Sequence, residues 1–137
     1  MIVADANLLV YLVFRGVQTP TARAVAARDA EWAAPPLWSS EVLSALGRYV
    51  QRGDVSLADA SEMYSGAADA IGDREFEPEP PDVLRLAAAS GCSTYDCEYV
   101  AVARGLGVPL VTADREVLRA FPGIAMSPEA FVRKPPR

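Results

Sequence analysis

The chain reads as an α/β protein, a three-layer α/β/α sandwich around a mostly parallel sheet of about five short strands. Three observations predict this. Short apolar runs alternate with helical stretches along the whole 137 residues. Those runs are apolar at successive positions, as strands covered on both faces must be. Strands separated by helices join in parallel through crossovers, which gives the layered arrangement.

Ile2–Ala4 is the first strand, ended by Asp5. Residues 7–14 read as a helix. A second helix spans 20–28, with Thr19 as its expected N-cap and Pro20 at its first position, where a missing N–H costs nothing. Residues 31–34 form a second strand, closed by Pro35 and Pro36. Ser39 or Ser40 caps a helix reaching Arg52, which Gly53 terminates. Ser56-Leu-Ala-Asp59 opens the helix that ends at Ile71, a capping box with Asp in place of Glu.

Phe76, isolated among acids, centres a weak third strand. A helix over 81–90 stops at Gly91, and another runs from Thr94 or Tyr95 to Leu106. Residues 109–112 are a strand, 114–121 a helix and 123–126 the last strand, followed by a short helix from Pro128. Residues 1–132 make one domain, and the tail 133–137 is expected to fray. No internal repeat is visible.

Composition removes several classes of function. Apolar residues make up 51% of the chain, enough for a core that buries roughly two-thirds of the unfolded surface at this length. The longest apolar run, near 8–14, falls far short of the ~20 residues a bilayer span needs. It has no basic leader, so a cytoplasmic protein without membrane contact is expected. The chain has no histidine, which removes imidazole general bases and the usual nucleophilic triads. Cys92 and Cys97, the only cysteines, cannot complete a tetrahedral zinc site alone. Cys97 lies in an apolar helical pattern and reads as a buried free thiol. Carboxylates and a bound metal remain.

Net charge is −5, but it is unevenly spread. Residues 53–82 hold nine acids and one base, Arg74; the rest hold nine acids and twelve bases. The local field decides whether a polyanion approaches, so RNA is compatible with this chain.

Four acids stand where an apolar run ends or a helix begins. Asp5 and Asp114 each follow a strand, and each reads equally well as a helix cap. Glu41 sits in the first turn of its helix, where a carboxylate favours the dipole. It has no partner one turn on, since position 45 is alanine. Asp96 shares a helical face with Tyr99, Val100 and Ala103, so it needs a cation or dense hydrogen bonding. Glu98 points about 200° around a helix of ~3.6 residues per turn, into solvent, at most an outer ligand. A parallel sheet gathers strand ends on one rim, and four carboxylates gathered there call for a cation. All-oxygen donors suit Mg²⁺, with Mn²⁺ as substitute.

The segments VADANLLVYL, SSEVLSAL, YDCEYVAVA and LVTAD resemble those of PIN-domain proteins, above all the ribonuclease toxins of bacterial VapBC-type toxin–antitoxin pairs. The likeness covers nearly the whole chain. It implies that Asp5, Glu41, Asp96 and Asp114 are the catalytic acids. Asp5, Asp96 and Asp114 would hold the metal, Glu41 would do so directly or through water, and Asn7 and Thr112 would be accessory polar groups. It also implies an endoribonuclease acting on tRNA or rRNA, a cognate antitoxin and a homodimer. The attacking group would be a metal-activated water, with a second metal about 4 Å from the first stabilising the leaving oxygen.

Arg15, Arg48, Arg52 and Arg115 are candidate phosphate contacts. Trp38 and Tyr95 could stack on a base or pack in the core. The apolar first helix and the Ser56 helix are candidate dimer or antitoxin surfaces. Two rivals remain. One is a non-cleaving regulatory module that binds RNA or protein. The other is a phosphotransferase with Asp5 as nucleophile, which lacks a companion lysine because the only one is Lys134.

Overall fold

Four short strands form the centre of the molecule: β1 (Ile2–Ala4), β2 (Trp32–Ala33), β3 (Leu110–Val111) and β4 (Ala125–Met126). All pair in parallel in the order β2-β1-β3-β4, with Val3 opposite both Ala33 and Leu110. The computed structural model describes residues 1–135. Residues 136 and 137, the end of the tail expected to fray, lie outside it.

Among the described residues eight helices flank this sheet: α1 (Ala6–Val13), α2 (Thr19–Arg28), α3 (Trp38–Gln51), α4 (Leu57–Ile71), α5 (Pro80–Ser90), α6 (Thr94–Leu106), α7 (Arg115–Ala120) and α8 (Pro128–Arg133). Helix α1 packs on α2, α3 and α4, whereas α6 packs on α5 and on β1 and β3. The result is the α/β/α sandwich. Ile2, Val3 and Ala4 are wholly buried, which explains why β1 reads as an uninterrupted apolar run rather than an alternating one.

The strand order places the site. The chain leaves β1 toward β2 on one side, then returns through β3 on the other. The reversal opens a crevice beyond the carboxyl ends of β1 and β3. Asp5 directly follows β1, and Thr112 directly follows β3.

The expected third strand, centred on Phe76, is reduced to one parallel bridge, Ala34 with Glu75. The Ala34 N–H donates to the Arg74 carbonyl and the Phe76 N–H to the Ala34 carbonyl, both at 3.1 Å. Acids depleted from strands stand at 73, 75 and 77, and Pro78 has no N–H to extend a ladder.

Two expected caps also differ. Thr19 lies inside α2, and its hydroxyl ties the preceding loop, donating to the Phe14 carbonyl and accepting the Gly16 N–H, both at 3.0 Å. Helix α3 starts one residue before Ser39, with no side-chain cap at Leu37. The Ser39 hydroxyl instead shares a 2.6 Å hydrogen bond with Tyr64 on α4. The Ser56 cap is as expected, accepting the Asp59 N–H at 3.1 Å.

Candidate active site

A cleft of about 190 Å³ opens at the β1–β3 crevice, and Asp5, Asn7, Glu41, Asp96, Thr112 and Asp114 all line it. Asp5 arrives from β1, Glu41 from the first turn of α3, Asp96 from the first turn of α6 and Asp114 from the loop after β3. Sequence separation reaches 109 residues between the first and last of these, yet the topology delivers all four to one opening.

Asp5 and Asp114 both cap helices, as one of their two readings expects, and both also line the cleft. Asp5 caps α1, its Oδ1 accepting the Leu8 N–H at 2.8 Å. The Thr112 hydroxyl donates to Asp5 Oδ2. Asp114 caps α7, its Oδ1 accepting the N–H groups of Glu116 at 2.9 Å and Val117 at 3.2 Å. Thr112 joins the two acids, because its Oγ1 also accepts the Asp114 N–H at 3.0 Å.

Burial pushes the Asp5 carboxyl up to about 6; the bonds from Thr112 and Leu8 oppose this, and the charges of Asp114 and Glu41 add to it. Asp96 is also raised, first by burial and then by Asp114. Among the described residues no arginine or lysine pairs with any of the four acids; the ion pairs lie elsewhere. The cleft thus concentrates negative charge, and Arg48, which also lines it, makes no ion pair with any of the four acids.

On α6, Tyr99, Val100 and Ala103 are buried as the apolar face predicts, while Asp96 is half-buried at the cleft. Ser93 caps this helix, accepting the Asp96 N–H at 3.1 Å. Cys92 and Cys97 flank that cap at the positions of a hydrophobic staple and are both free, Cys97 completely buried. Glu98 does not line the cleft. It is half-buried rather than solvated, its carboxyl raised by burial and then by Glu77 and Glu41.

Two cleft residues escaped the sequence reading. Tyr99 donates its hydroxyl to Glu41 Oε1 at 2.6 Å across 58 positions of chain. Its place at i+3 from Asp96 was the available signal. Ser44 lines the cleft one turn from Arg48 and accepts from its guanidinium at 3.1 Å.

Of the four candidate arginines only Arg48 lines the cleft. Arg52 stands over the Tyr49 ring and pairs with Asp54 at 3.4 Å. Arg15 lines a separate groove with Asp59 and Glu62, and Arg115 is exposed outside the cleft. Trp38 is buried, stacked on Tyr64, with its Nε1–H donating to Glu75 Oε1 at 2.7 Å. Its role is packing. Tyr95 is 60% exposed and free to meet a ligand.

The donor set fits a hard divalent cation, since the carboxylates at the cleft offer only oxygen. Among the described residues no three acidic or thiol side chains close into a ready cage.

The family model of the PIN domain matches residues 2–123, a span containing all four acids. The chain belongs to the PIN-domain family. Ribonuclease VapC3 of Pyrobaculum aerophilum is 26% identical over 126 residues, covering 90% of this PIN domain chain and 96% of that protein. The crystal structure of PAE2754 from the same organism matches with a TM-score of 0.77 at 27% identity, covering 96% of this chain and 92% of the other. The likeness therefore runs end to end in both cases. In addition, no described helix of this PIN domain is long and apolar enough to cross a membrane.

Proposed function

We propose that this PIN domain is a divalent-metal-dependent endoribonuclease, the toxin of a toxin–antitoxin pair. The observation that carries the reading is the charge at the cleft: four carboxylates at the switch point of a parallel sheet, none of them in an ion pair among the described residues. The end-to-end likeness to a protein named Ribonuclease VapC3 supports both the RNA substrate and the antitoxin partner.

Asp5, Asp96 and Asp114 would hold Mg²⁺ or Mn²⁺, with Glu41 contributing directly or through water. Such a cation, when bound, acidifies water and neutralises charge on the phosphate. Asp5 is held by two hydrogen bonds, so its carboxylate keeps one orientation. Thr112 fixes the spacing between Asp5 and the Asp114 backbone. Arg48, the one cation lining the cleft among the described residues, would meet a substrate phosphate, and Ser44 accepts a hydrogen bond from its guanidinium. Water attack leaves a 5′-phosphate and a 3′-hydroxyl.

The test is an RNA digestion with and without Mg²⁺. Cleavage that needs the cation and yields 5′-phosphate ends supports the reading. A folded protein that leaves diverse RNAs intact in Mg²⁺ and Mn²⁺ contradicts it.

A further inference from the structure

We propose that Tyr99 is a positioning residue that holds the Glu41 carboxylate in one direction, facing the cation or its water. The inference rests on the metal-dependent reading above and deepens it.

Glutamate has a longer side chain than the three aspartates and more rotatable bonds, so it holds its direction poorly unless something fixes it. Glu41 lacks the cap bonds that fix Asp5 and Asp114. Its fixed point is the Tyr99 hydroxyl, 2.6 Å from Oε1. Among the described residues no hydrogen bond reaches Oε2. The tyrosine is itself buried, 4% exposed, on a helix that packs on β1 and β3.

The bond also spans two parts of the fold that find their main contacts elsewhere. Helix α3, which carries Glu41, packs on α1 and α4, while α6 packs on α5 and the sheet. Tyr99 and Asp96 lie one turn apart on α6, and both line the cleft. One helix therefore supplies an acid of its own and the hydroxyl that aims an acid of another. The hydroxyl occupies one lone pair of Oε1 and so fixes the plane and direction in which the Glu41 carboxylate faces the cleft. Partners that orient a ligating carboxylate in this way commonly change metal affinity by about 10–100-fold when removed.

A double-mutant cycle on Mn²⁺ affinity tests this, measured by calorimetry on metal-free protein with Tyr99→Phe, Glu41→Gln and the double variant. Phenylalanine keeps the buried ring, and circular dichroism confirms the fold. Tyr99→Phe is expected to weaken Mn²⁺ about tenfold in the native background and less than twofold once Glu41 is Gln. As a second readout on the unsubstituted protein, Mg²⁺ should shift the near-ultraviolet tyrosine absorption, and Glu41→Gln should abolish that shift. Equal Mn²⁺ affinity of Tyr99→Phe and native protein overturns the inference, as does equal weakening in both backgrounds. Native protein that is folded yet binds no Mn²⁺ fails the metal-dependent reading itself, and this inference with it.

Discussion

The Thr112 hydroxyl donates to Asp5 Oδ2 and at the same time accepts the backbone N–H of Asp114 at 3.0 Å. One buried side chain, 1% exposed, thereby links the end of β1 to the loop after β3 across the sheet's switch point. The distance between two of the four acids is set by a threonine rather than by either acid.

Thr112→Val keeps the shape and removes both bonds. The Asp114 N–H and Asp5 Oδ2 lose their partner in a buried place, which costs about 2 kcal/mol of stability. Urea denaturation should show that loss, and RNA cleavage should fall roughly tenfold as the two acids lose their spacing. Thr112→Ser restores most of both. A valine variant as stable and active as the native chain would remove Thr112 from this account.

Asp5 makes stability depend on pH in a defined direction. Its folded pKa, about 6, exceeds the ordinary 3.8. A carboxyl shifted upward favours the folded state only when protonated. Its burial is therefore uncosted below pH 3.8 and increasingly destabilising as pH rises to 6, reaching at most about 3 kcal/mol above that. Metal-free Asp5→Asn should melt higher than native protein at pH 7 and equal it near pH 4. Mg²⁺ should stabilise native protein more at pH 7 than at pH 5, since it must displace a proton at the lower pH. Identical melting of the variant and native protein at pH 7 would contradict the uncompensated charge.

Arg48 should govern RNA affinity and its salt dependence. Arg48→Ala is expected to raise KM several-fold with little change in kcat. It should also reduce the slope of log affinity against log salt by roughly 0.7 per lost phosphate contact to single-stranded RNA. Arg52→Ala should leave that slope unchanged, because Arg52 is engaged with Asp54 and Tyr49 outside the cleft.

The contrast between those two arginines marks how far a sequence can be read. Arg48 and Arg52 share one helical stripe as sequence, yet Arg48 lies in the last turn of α3 and lines the cleft, whereas Arg52 is the residue that caps the helix and does not. Asp5 and Asp114 were legible because a strand end followed by a helix start is a local pattern, and parallel topology sends such ends to one rim. Asp96 was legible from the apolar residues it faces. The Tyr99–Glu41 bond was not, since each residue has a sufficient local explanation, core packing for one and helix dipole for the other. The Phe76 strand shrank to a bridge for a similar reason: strand signal is local, but the flanking acids and Pro78 decide how many bonds form.

Asp96→Asn probes whether the cleft's carboxylates hold the cation that RNA cleavage requires. Asparagine keeps the size and the place in the first turn of α6 while removing the charge. The variant is expected to fold and to cleave RNA in Mg²⁺ at least about a thousandfold more slowly than the native protein. Cleavage by Asp96→Asn at the native rate in Mg²⁺ would contradict that expectation.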